Sequence, residues 1–342
     1  MHILVIRTSA MGDVALLTPV LKSMEMQYPD TEMTVLTRPA FAPFFNSFSG
    51  VTLYLADFKK RHKWLTGIFR LRYDLKKEGR FDYVIDLHDV LRSKILRWLF
   101  WISGVPVKSI KKGRKEKRNV LTGKRKVQLV HAAERYFEAF AAAGFPLKKV
   151  EGPWITSSEE GQRRANGLLK EKELIHIGVA PYAKHDLKMW PESNMISLME
   201  MIAKHVKVRF WLFGGKEETP QLIEMQNRIP ESVLVAGTLD LDEELALISH
   251  LKFMISMDSS NMHMAALTGT KVISIWGGTD LLTGFGAWQQ PDEYALRIPV
   301  EELTCRPCTI FGKGECRRKD FACMIWLTPE KVFERLTNLK II

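Results

Sequence analysis

Asp13 is the first side chain in this sequence placed to move a proton. It closes Ser9-Ala10-Met11-Gly12-Asp13, a turn between an apolar run and a helical pattern. A carboxylate there can accept a proton from an attacking hydroxyl, and the helix end favours its ionised form. The same position suits a helix cap. Gly12 permits a tight approach, and neighbouring helix-end N–H groups can bind an anion. Neither G-x-G-x-x-G nor G-x-x-x-x-G-K-[ST] occurs at this turn.

A second cluster, Pro181-Tyr182-Ala183-Lys184-His185-Asp186-Leu187-Lys188-Met189-Trp190-Pro191, follows an apolar run. Lys184 or Lys188 can neutralise a diphosphate there, with backbone donors of the following helix in support. The third cluster is Asp258-Ser259-Ser260-Asn261-Met262-His263. Asp258 ends a strand pattern, Ser259 and Ser260 suit a helix cap, and His263 falls one turn inside the helix. Such an array can hold phosphate or sugar hydroxyls, although a core histidine is the plainer reading of His263. Thr279, in Trp276-Gly277-Gly278-Thr279-Asp280, can hydrogen-bond a phosphate.

All four cysteines fall in one segment as Cys305-x2-Cys308-x7-Cys316-x6-Cys323. Four thiolates suit a structural zinc or an iron–sulfur site, but the later gaps match no standard ribbon. Structural zinc and four reduced or partly bridged thiols both stay open.

These residues must be positioned by strands and helices, and the chain alternates the two. HILVIR at 2–7, EMTVLTR at 32–38 and FDYVIDLHD at 81–89 read as strands. A helix follows the first through Val14, Leu17, Val20, Leu21 and Met24, with Pro19 weakening its middle. Further helices are expected at about 89–102 and 131–143. The rhythm resumes with strands at 174–181, 206–215, 232–237, 253–258 and 271–278, separated by helical patterns. Polar, Gly/Ser-containing sequence at 155–172 marks a boundary, giving an N-terminal domain at 1–165 and a C-terminal domain at 166–342. Each is an α/β unit with a parallel sheet whose ligand crevice lies at the carboxyl ends of its strands.

The chain has 342 residues, 46% hydrophobic and 26% charged, which excludes global disorder and a small disulfide scaffold. No apolar run suits a membrane span, and Arg7 and Asp13 interrupt what would be a signal segment, so a cytoplasmic location is expected. The net charge of +11 favours anionic partners. It concentrates at 108–126, with ten Lys/Arg against Glu116, and in KKRHKW at 59–64 with the arginines and lysines that follow to Arg80. LRWLFWISGV at 96–105 reads as a buried helix, with a shallow membrane-interface helix as the alternative. A nucleic-acid-binding module would rest on charge alone, without a zinc-finger, RRM or KH signature, and none is expected.

Three ordered segments carry a resemblance: SAMGDVALLTPVLKS at 9–23, IGVAPYAKHDLKMWP at 177–191 and DSSNMHMAALTGTKVISIWGGTD at 258–280. Together they resemble the motifs of the heptosyltransferase family of glycosyltransferases, glycosyltransferase family 9, from residue 2 to the helix after Pro329. The resemblance implies a GT-B fold, two Rossmann-like domains with parallel sheets facing a central cleft. It also implies that the final helix, about 329–340, packs back on the N-terminal domain.

The implied activity is inverting transfer of heptose from ADP-heptose to a lipid A–Kdo or growing lipopolysaccharide inner-core acceptor, with no cofactor for catalysis. Asp13 would be the general base. Lys188, in a K-x-W-P context, is preferred to Lys184 as the phosphate-binding lysine. Glu218 matches a ribose-contacting carboxylate, and Asp258, Ser259, Ser260, His263 and Thr279 the donor-binding region. Gly12 and Arg92, the latter in LHDVLRSK at 87–94, would face the acceptor. The expected partners are a nucleotide sugar, a phosphorylated lipid-linked saccharide and an anionic membrane surface at the inner face of the inner membrane. Tyr182 replaces the family's glycine in P-G-A, Ser260-Asn261 its G-P, and Gly278 its proline after F-G. A related transferase using another nucleotide sugar is therefore the enzymatic alternative, and a non-catalytic scaffold the remaining one.

Overall fold

The computed structural model describes residues 1–342, which form two compact units. One comprises Met1–Lys112 and Ala132–Ser157, the other Gly113–His131 and Ser158–Ile342. The second therefore takes in the basic segment 113–131, which a simple division at 165 assigns to the N-terminal half.

The first unit is built on β1 (His2–Ile6), β2 (Glu32–Thr37), β3 (Val51–Leu55), β4 (Tyr83–Asp86) and β5 (Val107–Ser109). All pairings are parallel, in the order β3-β2-β1-β4-β5. Leu4, Val5, Val84 and Ile85 are fully buried. Strands covered on both faces read as continuous apolar runs, which is why β1 and β4 were legible in the sequence. The residues expected to extend the strand at 81–89 instead bend: Asp86 Oδ1 accepts hydrogen bonds from the N–H groups of His88 and Asp89, both at 2.9 Å.

Its helices are α1 (Met11–Ala15), α2 (Thr18–Gln27), α3 (Trp64–Leu75) and α4 (Leu91–Trp101). The helix expected across Pro19 is divided there, because Pro19 occupies the first turn of α2, where its missing N–H costs nothing. The reading of 96–105 as a buried helix is corrected. Leu96, Leu99 and Phe100 are buried, whereas Trp98, Trp101 and Ile102 are exposed. After α5 (Arg114–Leu121), which belongs to the second unit, α6 (Ala132–Ala142) returns to the first.

The second unit begins its main run with α7 (Glu159–Leu168), then β6 (Ile175–Ala180), α8 (Glu192–His205), β7 (Val208–Leu212), α9 (Thr219–Arg228) and β8 (Ser232–Leu234). It continues through α10 (Leu241–Ser249), β9 (Phe253–Met257), α11 (Ser260–Leu267), β10 (Val272–Ile275), β11 (Ala295–Leu296), α12 (Ala322–Ile325) and α13 (Pro329–Asn338). The sheet is again parallel, ordered β11-β10-β9-β6-β7-β8. Asp240 caps α10 by accepting from Glu243 N at 2.9 Å, while Glu243 reaches back to Asp240 N. The resemblance placed the last helix on the N-terminal domain. Its buried side, Val332 and Leu336, lies in the second unit's core, where α13 packs on α8.

Candidate active site

The strand orders decide where chemistry can gather. In the first sheet the chain runs outward from β1 through β2 to β3, then crosses to β4 and β5 on the other side. The switch between β1 and β4 leaves a crevice at their carboxyl ends, with Ile6 in register with Asp86. Asp13 follows β1 there, and His88 and Arg92 follow β4. In the second sheet the same reversal lies between β6 and β9, with Ala180 in register with Ser256. The loop carrying Lys188 leaves β6, and Asp258 leaves β9.

In the first unit Asp13 is 29% exposed at its side chain, and its Oδ2 pairs with the buried Arg7 guanidinium. Arg7 Nη1 also donates to Leu87 O at 2.5 Å, fixing the group from the β4 side. Nearby acidic and tyrosyl groups raise the pKa of Arg7 despite its burial, so it remains a cation. Tyr136 of α6 donates to Asp13 O at 3.0 Å. Thus β1, β4 and α6 hold one short turn. Gly12 is buried in α1 beside it.

His88 contacts the hydroxyls of Thr8 and Ser9 at 3.0 and 3.2 Å. Burial, then the charges of Arg7 and Lys112, pushes its pKa down to about 4. It is a neutral ring at physiological pH. Arg92 lies 4.3 Å over the Phe58 ring and, with Thr8 and His88, lines a narrow cavity. Burial and the neighbouring Arg38 lower its pKa. The arrangement offers a carboxylate beside a neutral imidazole and cationic groups, suited to a hydroxylated, anionic ligand.

In the second unit Lys188 Nζ lies 2.7 Å from Asp258 Oδ2. Thr279 Oγ1 donates to the same oxygen at 2.8 Å. Lys184 is exposed, so the structure separates the two candidate lysines. Trp190 anchors the Lys188 loop from beneath, donating through Nε1 to Met324 O at 3.1 Å and Leu327 O at 2.8 Å. Gly278 N donates to Leu187 O at 2.7 Å. A Cβ on Gly277 would come within 2.9 Å of that same carbonyl, so the Gly-Gly sequence allows the two loops to meet. Gly312, at φ +85°, lies against the Lys188 stem on its other side.

Glu218 Oε2 accepts from Gly215 N at 2.7 Å, and burial raises its pKa. Ser259 occupies the N-cap position of α11, but no side-chain cap bond forms. Its hydroxyl instead contacts Ser256 Oγ at 3.2 Å, and Ser260 is the first residue of α11. His263 is buried one turn further in. The chemistry on offer is a lysine charge and a threonine hydroxyl at a sheet's switch point, with a carboxylate one strand away after β7.

The sequence profile of glycosyltransferase family 9 (heptosyltransferase) matches residues 68–307. This chain belongs to that family. It is therefore a glycosyltransferase, and family 9 ties it to heptose transfer in lipopolysaccharide biosynthesis. The lipooligosaccharide heptosyltransferase 2 of Haemophilus influenzae is 26% identical, the alignment covering 99% of each chain. Two solved structures share the fold. The family 9 glycosyltransferase of Veillonella parvula has a TM-score of 0.78 at 17% identity, covering 99% of this chain and 96% of its own. The E. coli ADP-heptose lps heptosyltransferase II has a TM-score of 0.70 at 19% identity, covering 99% and 98%. Two parallel-sheet Rossmann-like units of the GT-B class are thus common to all three.

Of the two readings left open for the cysteines of this transferase, structural zinc finds no support in the structure. No three His, Cys, Asp or Glu side chains form a group able to hold a metal ion. Cys323 is buried in the second unit's apolar core and Cys305 packs against it. Burial pushes the thiols of Cys308 and Cys323 up to about 11.

Arg7, Tyr136 and His88 had no role in the sequence reading, where Arg7 counted only as an interruption of an apolar run. Arg306 was also missed. Only 1% exposed, it donates to the carbonyls of Gly277 at 2.7 Å, Thr279 at 3.0 Å and Trp276 at 3.3 Å, and pairs with Asp280 at 3.2 Å. An arginine inside a cysteine-rich, Pro-containing loop was the available signal, and it drew no notice beside the thiols.

Proposed function

We propose that this protein is an inverting heptosyltransferase that moves heptose from ADP-heptose to a lipid A–Kdo or growing inner-core acceptor. The observation that carries the reading is the Lys188–Asp258–Thr279 cluster at the switch point of the second sheet, in a chain of family 9. A diphosphate leaving group needs a cation that engages it as charge develops, and Lys188 is a partly exposed one on an anchored loop. The donor named for the E. coli relative supports ADP-heptose.

The acceptor hydroxyl oxygen attacks C1 of the sugar as Asp13 takes its proton. The C1–oxygen bond to the diphosphate breaks, and ADP leaves with the bonding electrons. Lys188 exchanges Asp258 for the diphosphate, and Thr279, still donating to the freed Asp258 carboxylate, lines the donor side. Glu218 meets the nucleotide ribose, while Ser259, Ser260 and His263 complete the donor side. Gly12 and Arg92 receive the phosphorylated saccharide in the first unit. The work is cytoplasmic, at the inner face of the inner membrane.

Tyr182 favours a second reading, a related transferase with another nucleotide sugar. It stands where the family has glycine, and its hydroxyl donates to Glu192 at 2.5 Å, filling space beside the Lys188 loop. The test is mass-spectrometric detection of product with ADP-heptose and deheptosylated lipid A–Kdo, with other sugar nucleotides in parallel. An added heptose mass supports the first reading; a different added sugar mass replaces it with the second.

A further inference from the structure

Helices α3 and α4 lie against each other on one face of the first sheet. Ile68, Leu71 and Leu75 of α3 and Leu96, Leu99 and Phe100 of α4 share a core with Leu4 and Val84. Helices packed this way ordinarily turn a polar face outward. These do not. Trp64 is 74% exposed and Tyr73 62%, with Leu65 and Phe69 also exposed on α3. On α4 and its end, Trp98, Trp101 and Ile102 are each more than half exposed. Arg72 ties the two helices together: its guanidinium lies 4.0 Å over Phe100 and its Nη2 donates to Ser103 Oγ at 3.4 Å. The two aromatic faces therefore adjoin.

Cations surround them. Residues 59–80 hold nine Lys/Arg against Asp74 and Glu78, and Asp74 is occupied by Arg61 and His62. Residues 91–102 hold Arg92, Lys94 and Arg97 with no carboxylate. Lys63, Arg70, Lys76 and Lys77 form no salt bridge. Lys63 Nζ lies 5.3 Å from the Trp64 ring and Lys77 Nζ 4.8 Å from that of Tyr73, so aromatic bodies and cationic tips share one surface.

A merely solvated face accounts for the cations but leaves three tryptophans in water. A protein-binding patch accounts for the aromatics, but lysine is depleted where proteins meet. Both features suit a bilayer interface, where Trp and Tyr lie at headgroup depth and Lys and Arg meet lipid phosphates. We propose that the α3–α4 face docks this protein on an anionic phospholipid bilayer. The aromatic side chains enter the headgroup–acyl boundary, and Lys63, Arg70, Lys76 and Lys77 sit at the phosphates. No helix is long and apolar enough to cross the membrane, so this docking is reversible. It deepens the reading of a lipid-linked acceptor but needs no turnover, so the two fail separately.

The test uses the full chain and sedimentation with vesicles of phosphatidylethanolamine and phosphatidylglycerol, against vesicles of phosphatidylcholine alone. Binding to the anionic vesicles at least tenfold tighter is expected, weakening as salt is raised. Lipids brominated near the headgroup should quench tryptophan fluorescence. Trp64→Ser with Phe69→Ser should weaken binding about tenfold or more, and so should Lys76→Gln with Lys77→Gln. These positions are exposed, and unchanged circular dichroism and melting would show that the variants fold. Equal binding to both vesicle types, or variants that bind like the parent, would overturn the proposal. So would a concentration-dependent dimer abolished by the aromatic pair, which would assign the face to a second copy.

Discussion

Lys188 Nζ and Asp258 Oδ2 lie 2.7 Å apart across the point where the second sheet reverses its strand order. The lysine side chain is 16% exposed and the aspartate 5%, so neither is free to rearrange without the other. A ligand phosphate can displace Asp258 from the lysine because Thr279 continues to donate to that carboxylate. On the proposed function, the pair is a holding arrangement for the cation that an anionic donor would claim.

Removing one partner should cost more than removing both. Lys188→Ala leaves a buried carboxylate with a single hydroxyl donor, and we expect a loss of roughly 3 kcal/mol in stability. Lys188→Ala with Asp258→Asn should recover much of it, read by denaturant unfolding as a double-mutant cycle. Nucleotide affinity should fall in both variants. Additive stability losses would show that the pair does not act as a unit.

The Arg7–Asp13 pair makes a separate prediction in the first unit. Asp13→Asn should lower turnover by about a hundredfold or more while nucleotide binding stays near the parent value. Arg7→Met should also impair turnover, because it releases the carboxylate from its fixed orientation. The split is measured by transfer kinetics alongside calorimetric nucleotide titration. Parent-like turnover in Asp13→Asn would remove it as the base.

His88 sets a pH dependence of known sign. Its folded pKa of about 4 lies below the ordinary value of 6.5, so folding disfavours its proton. The associated stability is complete above pH 6.5 and is lost as pH falls through the folded value. His88→Gln, which can retain hydrogen bonds to Thr8 and Ser9, should therefore lose less melting temperature than the parent between pH 7 and about 4. Parallel melting curves for the two proteins would contradict this account.

Arg306 should be indispensable to the Gly277–Thr279 loop. Arg306→Met leaves the carbonyls of Gly277 and Thr279, and the buried Asp280, without that donor. A loss of about 3–5 kcal/mol is expected by chemical denaturation. Weakened nucleotide binding should follow, because Thr279 sits at the end of the loop. Retention of parent stability would show that water or Arg297 replaces the guanidinium.

The sequence by itself determined the parallel α/β character and the places where strands end. Buried parallel strands are written as continuous apolar runs, and Asp13, Lys188, Asp258 and Thr279 each follow one. Period and burial are local properties, so they could be read without coordinates. Edge strand β3 and helix α3 escaped notice because VTLYL is only partly buried and α3 mixes its apolar face with cations and exposed aromatics. Only the tertiary structure decided which side chains meet. Strand order brings Arg7 to Asp13, with Leu87 O across the sheet and Tyr136 from α6, and it selects Lys188 over Lys184 as the partner of Asp258. Packing likewise put Cys323 in the second unit's core and left the α3–α4 aromatics outside. These outcomes depend on contacts between residues far apart in the chain, and no local spacing encodes them.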